Sequence, residues 1–129
     1  MSIAIVCVIL AAFLPIIAAG IAKFGPSENT GSAPYDNNQP REWLAKQTGL
    51  RARANAAQAN TFESLPFFYV AIAIAMILQA PQARIDVLAI AYLLARVAYI
   101  ACYVMDWANL RTFVWLIGFA CTVALFFQI

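Results

Sequence analysis

The stretch 51-RARANAAQANTFESLPFFYVAIAIAMIL-78 begins as a basic, water-exposed helix and ends as a segment that no soluble protein would leave exposed. Between its halves lie Asn60 and Glu63, an amide and a carboxylate carried into the mouth of an apolar helix. In hydrocarbon an unpartnered polar group costs several kcal/mol, so each of the two requires a partner from elsewhere in the chain. The remaining sequence therefore has to supply both further membrane helices and polar groups at the same depth.

It supplies the helices first. Of 129 residues, 64% are apolar and 11% charged, whereas soluble domains carry about 25% charged residues. Ile3 to Ala22 is an uncharged run long enough, at about 1.5 Å per residue, to cross a hydrocarbon core of about 30 Å. A cleaved signal peptide is the rival reading, but the basic n-region is missing and the run is too long. Pro15 should kink this helix. Further spans are expected at about 55–79, 83–105 and 109–129, with the break after the second at the "QAPQA" around Pro81. The fold class is thus an all-α integral membrane protein, a four-transmembrane-helix bundle within a single domain spanning 1–129.

Lys23, Arg41, Lys46, Arg51, Arg53 and Arg111 fall on one side of such a bundle and Arg84 alone on the other. The positive-inside rule then makes loops one and three cytoplasmic and places both termini outside. Loop 23–54 is too polar for lipid and is broken by Pro26, Pro34, Pro40, Gly25, Gly31 and Gly49. Within it "PREWLAKQTG" reads as a short helix, with Pro40 in its first turn, Gly49 as its stop, and Trp43 and Leu44 laid on the membrane surface. The loop reads as a real feature of the cytoplasmic face, with an irregular solvated tether as the competing account for its first half.

Several chemistries drop out. A net charge of +2 with scattered basic residues gives no nucleic-acid groove. Histidine is absent, which removes the commonest general base and metal ligand, and Cys7, Cys102 and Cys121 stand singly without a CxxC pair. No metal site is expected, and the cysteines read as small apolar residues.

Residues three and four apart share a helix face. Arg53, Ala57, Asn60, Glu63, Ser64 and Phe67 form such a face on the second span; Tyr92, Arg96, Tyr99 and Tyr103 form one on the third. The antiparallel spans place Glu63 and Arg96 at similar depth, so an ion pair is expected. Intramembrane charges mark a functional site by default; the competing account makes the cluster interhelical glue. Arg111 reads either as an interfacial anchor or as a cation that stabilises a carboxylate or thiolate.

Three stretches, "RARANAAQANTFESLPFF" with its N-x-x-E-x-x-P, "RVAYIACY" and "LRTFVWLIG", resemble the MAPEG family of small four-helix membrane proteins, and "YDNNQPREWLAKQTGLRARA" is similar to the lead-in of bacterial members. That family includes glutathione transferases, leukotriene synthase and the lipoxygenase-activating protein. The resemblance implies a homotrimer in the bilayer, by analogy with bacterial members the inner membrane. It also implies glutathione between protomers near the cytoplasmic side and a hydrophobic small molecule entering from lipid. Asn60 and Glu63 match the family's ligand-binding pair, Gln58 falls two before the Asn, and Tyr99 and Tyr103 match tyrosines of the third span. Arg53 and Arg96 would complete the glutathione site, and Arg111 would hold the thiolate as the catalytic residue. Two departures stand out: Ala56 occupies a position where catalytic members carry Arg, and Arg111 lies one residue farther from Tyr103 than in leukotriene synthase.

The implied activity is a glutathione-dependent transferase or peroxidase acting on lipophilic electrophiles. The alternative is a non-catalytic lipid-binding or scaffold protein, since the family contains both kinds. A small multidrug exporter of similar length would need its carboxylate in the first span, which has none.

Overall fold

The computed structural model describes residues 1–127. Among these residues the elements are helical throughout: α1 (Ile3–Phe24), α2 (Pro40–Ala45), α3 (Gly49–Ile77), α4 (Gln82–Val104) and α5 (Ala108–Leu125). Helices α1, α3, α4 and α5 are each long and apolar enough to cross a membrane. The expected fourth span ran to Ile129; its last two residues lie outside the described residues.

Helix α4 packs against α1, α3 and α5, α1 packs closely along α3, and α3 barely meets α5. The α1 face turned inward is Ala4, Cys7, Ala11, Leu14, Pro15, Ala18 and Ala22, at the three- and four-residue spacing of one stripe. Small side chains let two backbones approach, which is what drives helix association where lipid is as apolar as the helix surface. Opposite them α3 presents Leu65, Phe68, Ala71, Ile72 and Ala75. Cys7 and Cys102 are buried and Cys121 half-buried, all three as free thiols. The outward residues Ile9, Phe13, Ile16 and Ile17 of α1 and Phe113 and Leu116 of α5 are exposed, as a lipid-facing surface requires.

The ends of the helices are tied deliberately. Ser2 Oγ accepts from Ile5 N at 3.4 Å, and Asp86 Oδ1, from α4, accepts from Ala4 N at 2.8 Å, so two otherwise orphaned donors at the start of α1 are satisfied. Helices α3 and α4 each end in a residue with positive φ, Gln79 (56°) and Asp106 (62°). The bonds Ala80 N to Ala75 O and Trp107 N to Cys102 O close both reversals as Schellman-type caps.

Two features of loop 23–54 differ from the sequence reading, and a third goes against the tether account. Gly49 does not stop the short helix, which ends at Ala45; it opens α3 at φ 61°, where a Cβ would collide with the Glu28 carboxylate. Trp43 and Leu44 are buried within the protein instead of lying on the membrane surface, packed with Ala22 and Ala54. Trp43 Nε1 donates to Ala33 O at 3.2 Å, Tyr35 meets the indole edge-on at 5.2 Å, and the Arg51 guanidinium lies 5.4 Å from it. The reason is that a Trp with a satisfied N–H and aromatic neighbours loses more water by folding inward than by lying flat on a headgroup layer. The first half of the loop holds no helix, yet it is docked: Glu28 Oε1 accepts from Leu50 N at 3.2 Å and so caps α3.

Candidate functional site

Because α3 and α5 stay apart over a floor made by α4, a groove remains between them. Its deeper part is a cavity of about 200 Å³ lined by residues that include Glu63, Ser64, Phe67, Arg96, Phe119 and Thr122. Its shallower part, about 280 Å³, is lined by Asn60, Tyr99, Arg111, Thr112 and Trp115. Asn60 and Trp115 border both, so the two parts are neighbours along one wall. Trp115 and Phe119 stack at 5.4 Å, and Phe119 stacks on Phe67 at 5.8 Å across the groove. The result is a polar end near the α4–α5 turn and an aromatic end deeper in the bundle.

Arg96 is the buried charge of this site, 2% exposed. The expected ion pair with Glu63 is not formed: among the described residues the ion pairs are Lys46–Glu42 and Arg53–Glu28. Instead one terminal nitrogen of Arg96 donates to Asn60 Oδ1 at 3.1 Å and to Thr61 Oγ1 at 2.8 Å. The guanidinium also lies 4.1 Å from the Tyr99 ring, a cation–π contact. Its Nε is buried with no hydrogen-bond partner. The physical reason for the difference is helix phase. At 3.6 residues per turn, Glu63 stands roughly 200° around α3 from Thr61, which faces α4, so its carboxylate emerges on the exposed side.

Tyr99 is buried and meets Tyr103 edge-on at 5.6 Å, while the Arg111 guanidinium lies 4.2 Å from the Tyr103 ring. Arg111, Tyr99 and Asn60 therefore converge on the shallow cavity, with Tyr103 holding Arg111 over it. Ser64 Oγ and Tyr92 Oη share a hydrogen bond of 2.7 Å deeper down.

Three residues read as site members, Arg53, Gln58 and Tyr103, line neither cavity, and Tyr103 reaches the groove only through its contact with Arg111. Arg53 donates from Nε and a terminal nitrogen to Val104 O at 3.3 and 3.2 Å and contacts Glu28 Oε1 at 3.3 Å, so it clamps loop, α3 and the end of α4 together. Gln58 lines neither cavity, and its Oε1 is buried without a hydrogen-bond partner. Thr61 and Trp115 were missed in the sequence. Thr61 carried a usable signal: it is a hydroxyl at helical spacing from Ala57 on the face that meets α4. Trp115 carried none beyond its aromaticity.

No curated protein and no solved structure gives a significant match to the chain. A family profile does: it covers residues 3–129, essentially the whole length, and spans every element just described. The four apolar helices, the convergent Asn60, Tyr99 and Arg111, and this end-to-end match lead to one conclusion: the chain belongs to the MAPEG family.

Proposed function

We propose that the chain is a glutathione-dependent transferase or peroxidase acting on lipophilic electrophiles. The observation that carries this reading is the continuity of the groove, in which Asn60 and Trp115 border both a polar cavity beside Arg111 and an aromatic cavity walled by Phe67 and Phe119. The polar end would hold the tripeptide. Arg111, a cation that no carboxylate neutralises among the described residues, would favour its thiolate, the nucleophilic form. Transfer then forms a carbon–sulfur bond as the electrophile's leaving group departs with its electron pair. With a hydroperoxide, the thiolate sulfur takes the outer oxygen, the alkoxide takes a proton, and a second glutathione reduces the sulfenic acid to disulfide and water.

Glu63 would accept the ammonium end of glutathione. It is exposed in the isolated protomer, between Phe62 and Phe67 on an apolar helix face, and a carboxylate facing lipid is costly. This supports a homotrimer in which a neighbouring copy covers that face. Loops one and three are cytoplasmic in this reading, in the inner membrane of a bacterial cell, with both termini outside. Replacing Arg111 by Ala should raise the pKa of the bound thiol; an unchanged thiolate titration would take Arg111 out of the mechanism.

One observation favours the non-catalytic alternative. Ala56 provides no cation, and the neighbouring arginines are committed elsewhere, Arg53 to Val104 O and Arg51 to Gly25 O at 2.9 Å. One carboxylate of glutathione thus lacks a partner within the protomer. Thermal stability of the purified protein, with and without glutathione and with an analogue lacking the thiol, separates the two readings. At 100 times its dissociation constant a ligand adds about 2.7 kcal/mol. A saturable shift that Glu63→Ala abolishes supports the transferase or peroxidase; no shift at millimolar glutathione supports a lipid-binding or scaffold role.

A further inference from the structure

We infer that Arg96 is a positioning residue that sets the polarity of Asn60, turning the amide so that its NH₂ faces the groove and reads a carboxylate or carbonyl oxygen of the ligand. The inference rests on the groove being a ligand site, and it deepens the glutathione reading by assigning what one wall recognises.

The argument begins from an oddity. A buried guanidinium used only to fasten helices would do best against a carboxylate, and Glu63 lines the same cavity. Arg96 instead bonds two neutral oxygens and keeps a buried Nε–H unbonded. Native proteins rarely bury an unpaired donor, so the arrangement calls for an explanation. What Arg96 achieves is directional. The Thr61 hydroxyl donates its one proton to Ala57 O at 2.7 Å, so its oxygen is left to accept from Arg96 at 2.8 Å.

Guanidinium has five N–H donors and no acceptor, so the Asn60 atom 3.1 Å away is necessarily the carbonyl oxygen. An amide's oxygen and nitrogen are ordinarily hard to tell apart, but a donor-only partner removes the ambiguity. With Oδ1 held toward α4, the planar amide carries Nδ2 away from it. Among the described residues, Nδ2 donates to no protein group. Asn60 also borders both cavities. Together with Arg111 and Tyr99 it makes the shallow wall rich in donors, while Glu63, acceptor-only when ionised, is left for a cationic group.

The decisive variant is Asn60→Asp, made in the full-length protein. It keeps an acceptor for Arg96 but replaces the outward donor with a second oxygen. The unliganded melting temperature should hold or rise, while glutathione affinity measured by calorimetry falls at least tenfold. Arg96→Gln should weaken glutathione comparably, and adding Asn60→Asp to it should cost little more, because both disable the same amide. Unchanged affinity in Asn60→Asp overturns the inference and leaves the transferase reading standing.

If the unaltered protein binds no glutathione, the transferase reading fails and the positioning role is decided without ligand. In protein labelled with ¹⁵N-asparagine, the Asn60 side-chain amide, identified by its loss in Asn60→Asp, should give one sharp pair of peaks that splits or broadens in Arg96→Gln. A pair identical in both proteins would show that Arg96 does not hold the amide. Arg96→Lys, which keeps the charge but not the planar fork, serves if Arg96→Gln does not fold.

Discussion

Along the α1–α3 seam, Ala4, Ala11, Phe68 and Ala71 are fully buried in one apolar cluster, and the Tyr69 hydroxyl that borders it donates to Val8 O at 3.2 Å. Across the α3–α5 gap, nearer the N-terminal end of α3, stand Asn60, Glu63 and Ser64, with Arg96 and Thr122, around open space. Both regions use the same α3, which turns alanines and Phe68 to one neighbour and amides and carboxylates toward the other. In a bilayer, close backbone approach is the available route to tight association. The seam therefore holds the bundle together, which lets the gap keep room and polar groups that weaken packing.

The largest test of this division is Phe68→Ala. Phe68 is stacked on Tyr92 at 3.8 Å, and removing a buried ring costs about 3–5 kcal/mol, readable as a lowered midpoint in denaturant titration of the detergent-solubilised protein. A smaller loss would mean that the seam is loosely packed. Next, Ala11→Leu overfills the seam and should cost about 1–3 kcal/mol. In contrast to both, Gly118→Ala adds its methyl at the gap, 3.6 Å from the Ala95 methyl and 3.9 Å from Arg96 Cδ, in ordinary contact. Stability should then hold or rise by up to about 1 kcal/mol, since alanine favours a helix interior over glycine, and a cost equal to that of Ala11→Leu would erase the distinction between seam and gap. Between the extremes, Asp86→Ala removes the carboxylate that caps α1 across the bundle and should cost about 1 kcal/mol.

Four helices and their order were legible in the sequence because uncharged runs of that length have few other uses. The shared depth of Glu63 and Arg96 was legible too, since it follows from helical rise and antiparallel direction, and both line one cavity although no ion pair joins them. Rotation about the helix axis was harder to read: Thr61 lies four residues from Ala57 and Glu63 three from Asn60, so helical spacing alone did not decide which of them α4 would face. Arg53 is drawn off the groove for a related reason. It lies one turn from Ala57 on the face that leads to the site, but the carbonyl of Val104 and the carboxylate of Glu28 sit within its reach first. Burial of Trp43 depended on Ala33, Tyr35 and Arg51, partners supplied by a loop whose path the sequence leaves open.

The tight reversals at Gln79 and Asp106 also bear on how the chain reaches its membrane. Helix α4 carries an arginine that alone would resist entry, by about 2.5–3.5 kcal/mol at mid-membrane on translocon scales. Its partner Thr61 precedes it by 35 residues on a helix joined to α4 by a few residues of turn. Each hairpin is thus short enough to partition as a unit, so the guanidinium enters already escorted. In an insertion assay on stalled chains, α4 offered alone should insert poorly and α3–α4 offered as a pair efficiently; equal efficiency would mean that Arg96 needs no escort.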